Sequence, residues 1–188
     1  MSATNRGTKR READFYATPL DTVFSLLDNY DGIKNNDSIL EPSAGNGNII
    51  RALRNRGYKN RIDAVEIREE ELVNLADLAD RTSIVDYLTL DPGVFPKYDV
   101  IIGNPPYNQA KEFIDKSLEL LKPGGRIIFL LRTNFLESNK RFKWWQDKLP
   151  SGLYVLHQRP SFTGKGTDAT SYSWFIWDTE DRQIIKVI

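Results

Sequence analysis

The sequence predicts a single α/β domain built on a doubly wound, mostly parallel sheet with an antiparallel edge. Three observations carry this prediction. Between residues 18 and 131, short apolar runs of strand length alternate with segments whose apolar residues recur at helical spacing. The fifth such run, "RIIFLL", is apolar throughout, the pattern of a parallel strand covered on both faces. After it, "GLYVLHQ", "SYSWFIWD" and "QIIKVI" read as strands with no helix of comparable length between them, so antiparallel pairing is expected there. The 188 residues suffice for one core and fall short of two ordinary domains.

The elements follow in order. Residues 1–13, rich in Ser, Thr, Asn, Gly, Lys and Arg, show no periodicity and are expected to form a mobile basic tail ahead of a domain spanning 14–188. Thr18-Pro19 reads as an N-cap followed by proline at the first helical position. Leu20, Val23, Phe24 and Leu27 then share one face of a helix ending near Asn29. "SILEP" is the first strand, and "GNGNIIRALRNRG" a glycine turn opening a helix that Gly57 closes. "RIDAVEI" gives a second strand, "EEELVNLADLA" a second helix of the repeat and "TSIVDYL" a third strand. "YDVIIG" is the fourth strand, and residues 112–121 form a helix stopped by "KPGG" before the fifth. Ligands of such sheets bind at the carboxyl ends of strands, near the point where strand order reverses.

Composition excludes several chemistries. No apolar run approaches the roughly 20 residues that span a bilayer, and the basic N-terminus has no apolar stretch behind it, so neither a membrane protein nor a secretory signal is expected. A cytoplasmic location follows as the default. The chain has no cysteine and one histidine, His157, which removes thiolate catalysis and Cys-based metal sites, and no metal is expected. A formal net charge of zero argues against an extended phosphate-binding surface but leaves room for local basic clusters.

The loop Glu41-Pro42-Ser43-Ala44-Gly45-Asn46-Gly47-Asn48 lies between a strand and a helix, where a nucleotide-type loop belongs. Its glycines allow close approach of backbone to ligand; the plain alternative is a tight turn needing positive φ at Gly45 or Gly47. A carboxylate at the strand end would repel a pyrophosphate, so a cationic ligand suits it better. Glu66 ends the second strand about 20 residues beyond Gly45, the offset at which an acidic side chain meets a ribose diol. Asp86, ending the third strand, is placed to accept from an adenine amino group, or is simply a solvated strand-end acid.

The fourth strand stops on Asn104-Pro105-Pro106-Tyr107. Two prolines remove two backbone donors and fix two φ angles, so this segment is a rigid mount outside any sheet ladder. Together, Glu41-Pro-Ser-Ala-Gly-Asn-Gly and Asn104-Pro-Pro-Tyr107 resemble motifs I and IV of the S-adenosylmethionine-dependent amino methyltransferases, particularly the DNA adenine-N6 enzymes. "DFYATP", residues 14–19, is similar to the motif these enzymes place before motif I. The resemblance covers roughly residues 14–131. It implies a Rossmann-like methyltransferase sheet, S-adenosylmethionine as cofactor, and DNA as partner. It also implies that Phe15, Tyr16, Thr18 and Pro19 line the methionine end of the cofactor site, a helix start being the plain alternative for Thr18-Pro19. The remainder of that site falls on Glu41, Pro42, Ser43, Gly45, Gly47, Asn48, Glu66, Ile67, Asp86 and Asn104.

The chemistry accounts for the catalytic motif residue by residue. An exocyclic adenine amine is a poor nucleophile because its lone pair is delocalised into the ring. Two acceptors in front of its N–H bonds, the Asn104 side-chain oxygen and the Pro105 carbonyl, would localise that pair. Pro105 and Pro106 hold the acceptors rigid, and Tyr107 offers a face on which a planar base stacks. A base in a duplex cannot reach such a site, so it must be flipped out. Phe162, in the loop between two late strands, is the candidate for the base's other face; its alternative is a loop phenylalanine folded back on the core.

DNA enzymes of this kind usually carry a separate target-recognition region, and none is expected here. The basic and aromatic segment holding Lys140, Arg141, Lys143 and Trp144, together with Lys165, is the candidate DNA surface, with packing on the core as the alternative for Trp144 and Trp145. A monomer or weak homodimer of low or short-site specificity is expected. The competing readings are methylation of RNA adenine-N6 or protein glutamine-N5, since the motif suits any planar NH2 group, and a catalytically silent binding module.

Overall fold

The computed structural model describes residues 17–162, 166–178 and 184–188. Its centre is an eight-stranded sheet. The strands in chain order are β1 (Ile39–Glu41), β2 (Ile62–Glu66), β3 (Arg81–Ile84), β4 (Tyr98–Gly103), β5 (Leu121–Arg132), β6 (Gly152–Val155), β7 (Tyr172–Trp177) and β8 (Ile184–Val187). Their spatial order is β3-β2-β1-β4-β5-β7-β6-β8. Strands β3 to β5 in that order pair parallel, and β7 runs antiparallel to both β5 and β6. β8 pairs parallel to β6, which the expected antiparallel edge did not include. The order reverses between β1 and β4, so the carboxyl ends of these two strands flank the crevice where ligands of this architecture bind.

Helices α1 (Leu20–Leu27), α2 (Asn48–Asn55), α3 (Leu72–Leu75), α4 (Ala110–Leu120) and α5 (Phe142–Lys148) cover the sheet. Successive residues of a strand face opposite sides, and the two cores show that alternation. Ile39, Val100, Ile102, Ile128 and Leu130 pack with Val23 and Leu26 of α1 and Ile49, Ile50 and Leu53 of α2. Leu40, Ile101, Ile127, Phe129 and Leu131 pack on the opposite side with Phe113 and Ile114 of α4 and Trp145 of α5. Burial on both faces explains the unbroken apolar run of the fifth strand. Trp174 ties β7 to the first helix, its indole N–H donating to the Thr22 carbonyl at 3.1 Å.

Three local expectations shift. The N-cap of α1 is Pro19, in extended backbone, whose carbonyl accepts from Thr22 N–H; Thr18 is thereby freed for another role. The segment after β2 forms only a 3-10 turn over Glu69–Glu71 and the four residues of α3. Of its apolar residues, Leu75 is buried whereas Leu72 and Val73 stay exposed, so little apolar surface is gained by a longer helix. Asp86 falls beyond β3, which ends at Ile84, and its side chain caps the next turn by accepting from Leu88 N–H at 2.9 Å.

Candidate active site

The glycine loop is shaped by its bonds to β2. Ala44 N–H donates to the Val65 carbonyl at 2.9 Å and Gly45 N–H to the Glu66 carboxylate at 2.7 Å. Gly45 and Gly47 have positive φ, and a Cβ on Gly47 would stand 2.6 Å from a Leu78 methyl. The turn therefore requires its glycines, and part of the loop, Gly45 included, also lines a cavity. Gly103, closing β4, allows Asn104-Pro105-Pro106-Tyr107 to lie against this loop, since a Cβ there would meet the Pro42 ring at 3.1 Å.

A cavity of about 410 Å³ opens at the carboxyl ends of the strands. It is walled by Thr18, by Glu41, Pro42, Ser43, Gly45 and Asn48 of the loop, and by Glu66 and Ile67 after β2. Asp86, Asn104, Pro105, Pro106 and Tyr107 complete it, so the sequence-predicted cofactor and catalytic residues converge on one space. Pro19 and Gly47 are not among the lining residues; they set the approach of a helix and a turn. Phe15, Tyr16 and Lys165 lie outside the described residues.

Glu41 is 2% exposed, and its Oε2 has no hydrogen-bond partner among the described residues. The hydroxyl of Ser43 is likewise buried and unpartnered beside the same cavity. Burial first, and the neighbouring Glu66 carboxylate second, push the Glu41 carboxyl well above its ordinary range, against the pull of the Ile50 N–H. Such a group is suited to a ligand that brings a positive charge and a donor, which fits the sulfonium and ammonium of S-adenosylmethionine. Asn48 is held by its amide, which donates to the Thr18 carbonyl at 2.9 Å.

Glu66 carries hydrogen bonds on both of its oxygens. Oε2 accepts from Gly45 N–H, and Oε1 accepts from both the backbone N–H and the Nε–H of Arg68 at 3.0 and 2.9 Å. Arg68 also pairs with Glu71 at 3.2 Å. A carboxylate accepts about four hydrogen bonds, so two ribose hydroxyls find room on Glu66 only if the Arg68 side chain yields. Arg68 lines the cavity and was missed in the sequence; the available signal was a guanidinium two residues beyond a strand-end acid.

Asn104 follows the last residue of β4. Its Nδ2 donates to the Thr18 hydroxyl at 3.1 Å, and its amide lies against the Tyr107 hydroxyl. These two contacts fix the orientation of the Asn104 side chain. Tyr107 opens the 3-10 turn that leads into α4. Burial raises the pKa of its hydroxyl, with Tyr172 adding to the effect.

Phe162 packs edge-on against Tyr172 at 5.1 Å, and Tyr172 in turn lies 5.6 Å from Tyr107. The two aromatic groups expected to sandwich a base thus both contact Tyr172, which sequence reasoning missed. In the basic segment, Lys140 and Lys143 are exposed. Arg141 is committed instead to the Phe135 carbonyl, through Nε and Nη2 at 3.1 and 2.7 Å. Trp144 donates to Asp115 at 2.9 Å and packs on Trp145 and Phe135. Trp145 is buried, and the contacts of Trp144 and Trp145 are those of the packing alternative. None of the four lines the cavity.

No protein-family model matches the chain. M.HincII, a Type II methyltransferase from Haemophilus influenzae, is 32% identical over 131 residues, covering 55% of this chain and 24% of that protein. M.CvrRI, a Type II methyltransferase from Paramecium bursaria Chlorella virus XZ-6E, is 36% identical over 105 residues, covering 53% and 26%. The chain thus spans about a quarter of the length of these curated relatives. Among solved structures, one assigned to the class I S-adenosylmethionine-dependent methyltransferases, from Listeria monocytogenes, matches with a TM-score of 0.66 at 19% identity, covering 91% of this chain and 65% of that one. The M protein of the Type I restriction enzyme EcoKI matches with a TM-score of 0.66 at 16% identity, covering 90% and 46%. The fold is the Rossmann-like sheet of the class I S-adenosylmethionine-dependent methyltransferases, and the family resemblance read from the two motifs is borne out by these relatives.

Proposed function

We propose that the chain transfers a methyl group from S-adenosylmethionine to the N6 amine of an adenine flipped out of DNA. The observation that carries this reading is the mounting of Asn104. It stands at the end of β4 with its amide nitrogen engaged by Thr18, beside a cavity that holds an unpartnered buried carboxyl on Glu41.

When bound, the cofactor supplies an electrophilic methyl group on a sulfonium. Glu41 and Ser43 hold its polar end, and the loop glycines let backbone approach it closely. Glu66, Ile67 and Asp86 take up the nucleoside, as acidic and apolar walls at successive strand ends. The Asn104 oxygen and the Pro105 carbonyl accept the two N–H bonds of the target amine and turn its lone pair towards the methyl carbon. With the cofactor bound, its sulfonium would supply the methyl carbon to that lone pair as the sulfur–carbon bond gave way, and solvent would take the surplus proton from nitrogen. Tyr107 stacks on the ring.

DNA is favoured over RNA or protein by the sequence relatives, which are Type II methyltransferases. Adenine is favoured over cytosine by the likeness of Asn104-Pro-Pro-Tyr107 to the motif of the adenine-N6 enzymes. Labelled S-adenosylmethionine, incubated with the protein and unmethylated duplex DNA, RNA or a protein extract, should transfer its label to DNA. Label found in RNA or protein alone would overturn the choice of polymer.

A further inference from the structure

Arg132 is an exposed cation that touches the catalytic motif, and no role assigned so far uses it. It ends β5, opposite Tyr172 of β7. Its guanidinium lies 5.1 Å from the centre of the Tyr107 ring. Nε–H reaches the Tyr172 hydroxyl at 3.4 Å, and that hydroxyl donates to Asp168 at 2.9 Å. Asp168 is itself fixed, its N–H donating to the Pro160 carbonyl and its other oxygen accepting from Thr170 N–H. Among the described residues, no carboxylate forms an ion pair with Arg132, and its two Nη groups have no partner.

The end of β5 does not need this arginine for closure. The ladder to β7, the Thr133 N–H bond to the Ser171 carbonyl and the contact between the Thr133 and Ser173 hydroxyls at 2.8 Å already close it. What remains is a planar fork of N–H donors held at a fixed place beside the ring that receives a base. A base stacked on Tyr107 carries its phosphates one sugar away, and a guanidinium fork matches phosphate oxygens in pairs. We propose that Arg132 binds a phosphate of the extruded nucleotide, with Tyr172 and Asp168 as the positioning residues that hold its guanidinium beside Tyr107. The inference rests on the DNA reading above.

The test uses the full chain and a duplex carrying its mapped target adenine, with either natural phosphates or a neutral methylphosphonate on each side of that adenine. Arg132→Gln should lower kcat/KM on natural duplex about 10-fold to 100-fold, chiefly through KM, while leaving the affinity for S-adenosylmethionine unchanged. The methylphosphonates should slow the wild type by a similar factor and the variant no further. Arg132→Lys should recover part of the loss, because charge remains but the fork does not. Equal sensitivity of wild type and Arg132→Gln to the neutral linkages would overturn the proposal, as would full activity of the variant. If the variant does not fold, full tolerance of both methylphosphonates by the wild type overturns it alone. A wild type that methylates no DNA at all would refute the underlying function instead.

Discussion

Replacing Glu41 by Gln keeps the size of the side chain and removes its charge. Glu41 is buried at the end of β1 with one oxygen unpartnered and the Glu66 carboxylate nearby. Its raised pKa means that the folded, ligand-free protein holds a proton there over a range in which the unfolded chain has lost it. Glu41 therefore favours folding fully below the ordinary carboxylate range, near pH 4.5, and the contribution is lost as pH rises through the raised folded value. Glu41→Gln removes that dependence, so its melting temperature should gain on the wild type as pH is raised above the ordinary carboxylate range. Cofactor binding should move the other way. A charge-assisted hydrogen bond contributes about 1.5–3 kcal/mol, which corresponds to roughly 10-fold to 100-fold weaker binding of S-adenosylmethionine by the variant. Titration calorimetry in buffers of different ionisation enthalpy should also show proton release when the wild type binds the cofactor, and none in the variant. Unchanged cofactor affinity in Glu41→Gln, with no proton released by the wild type, would refute the reasoning.

Three further outcomes are expected. Arg68→Gln should lower the melting temperature of the free protein, since it breaks pairs with Glu66 and Glu71. The rise on adding cofactor should nevertheless exceed that of the wild type, because Glu66 is released for the ribose; a smaller rise would show that Arg68 supports the site. Gly103→Ala forces a Cβ to within 3.1 Å of the Pro42 ring and so parts the catalytic motif from the glycine loop. Methyl transfer should fall about tenfold or more with cofactor affinity less affected, and equal activity would remove the case for close approach. Trp144→Phe loses the bond to Asp115 and should cost about 1 kcal/mol in chemical denaturation without changing the affinity for DNA. Weakened DNA binding at unchanged stability would restore Trp144 to the substrate surface.

The parts of the site that were legible in the sequence are those punctuated by glycine and proline. Positive φ at Gly45 and Gly47, and the paired prolines after Asn104, fix backbone in ways that few neighbours can override, so the two strand ends could be read from local chemistry alone. What was not legible depends on partners distant in the chain. Thr18 looks like an N-cap beside Pro19, but its hydroxyl meets Asn104, 86 residues away. Tyr172 joins Tyr107 because β7 inserts beside β5 out of sequence order, and Arg132 because β5 lies beside β4, whose end leads to Tyr107. The helix expected after β2 shortens for a similar reason: Leu75 and Leu78 are placed by the glycine turn they pack against, while Leu72 and Val73 find no partner surface. Arg141 and Trp144 carry the residue types of a DNA surface, yet nearby carbonyl and carboxylate groups claim their donors.

Duplex DNA treated with the protein and S-adenosylmethionine, then digested to nucleosides and analysed by mass spectrometry, should contain N6-methyladenine, and DNA treated with Asn104→Ala at saturating cofactor should not. N4-methylcytosine as the sole product, or N6-methyladenine formed equally by Asn104→Ala, would contradict the account.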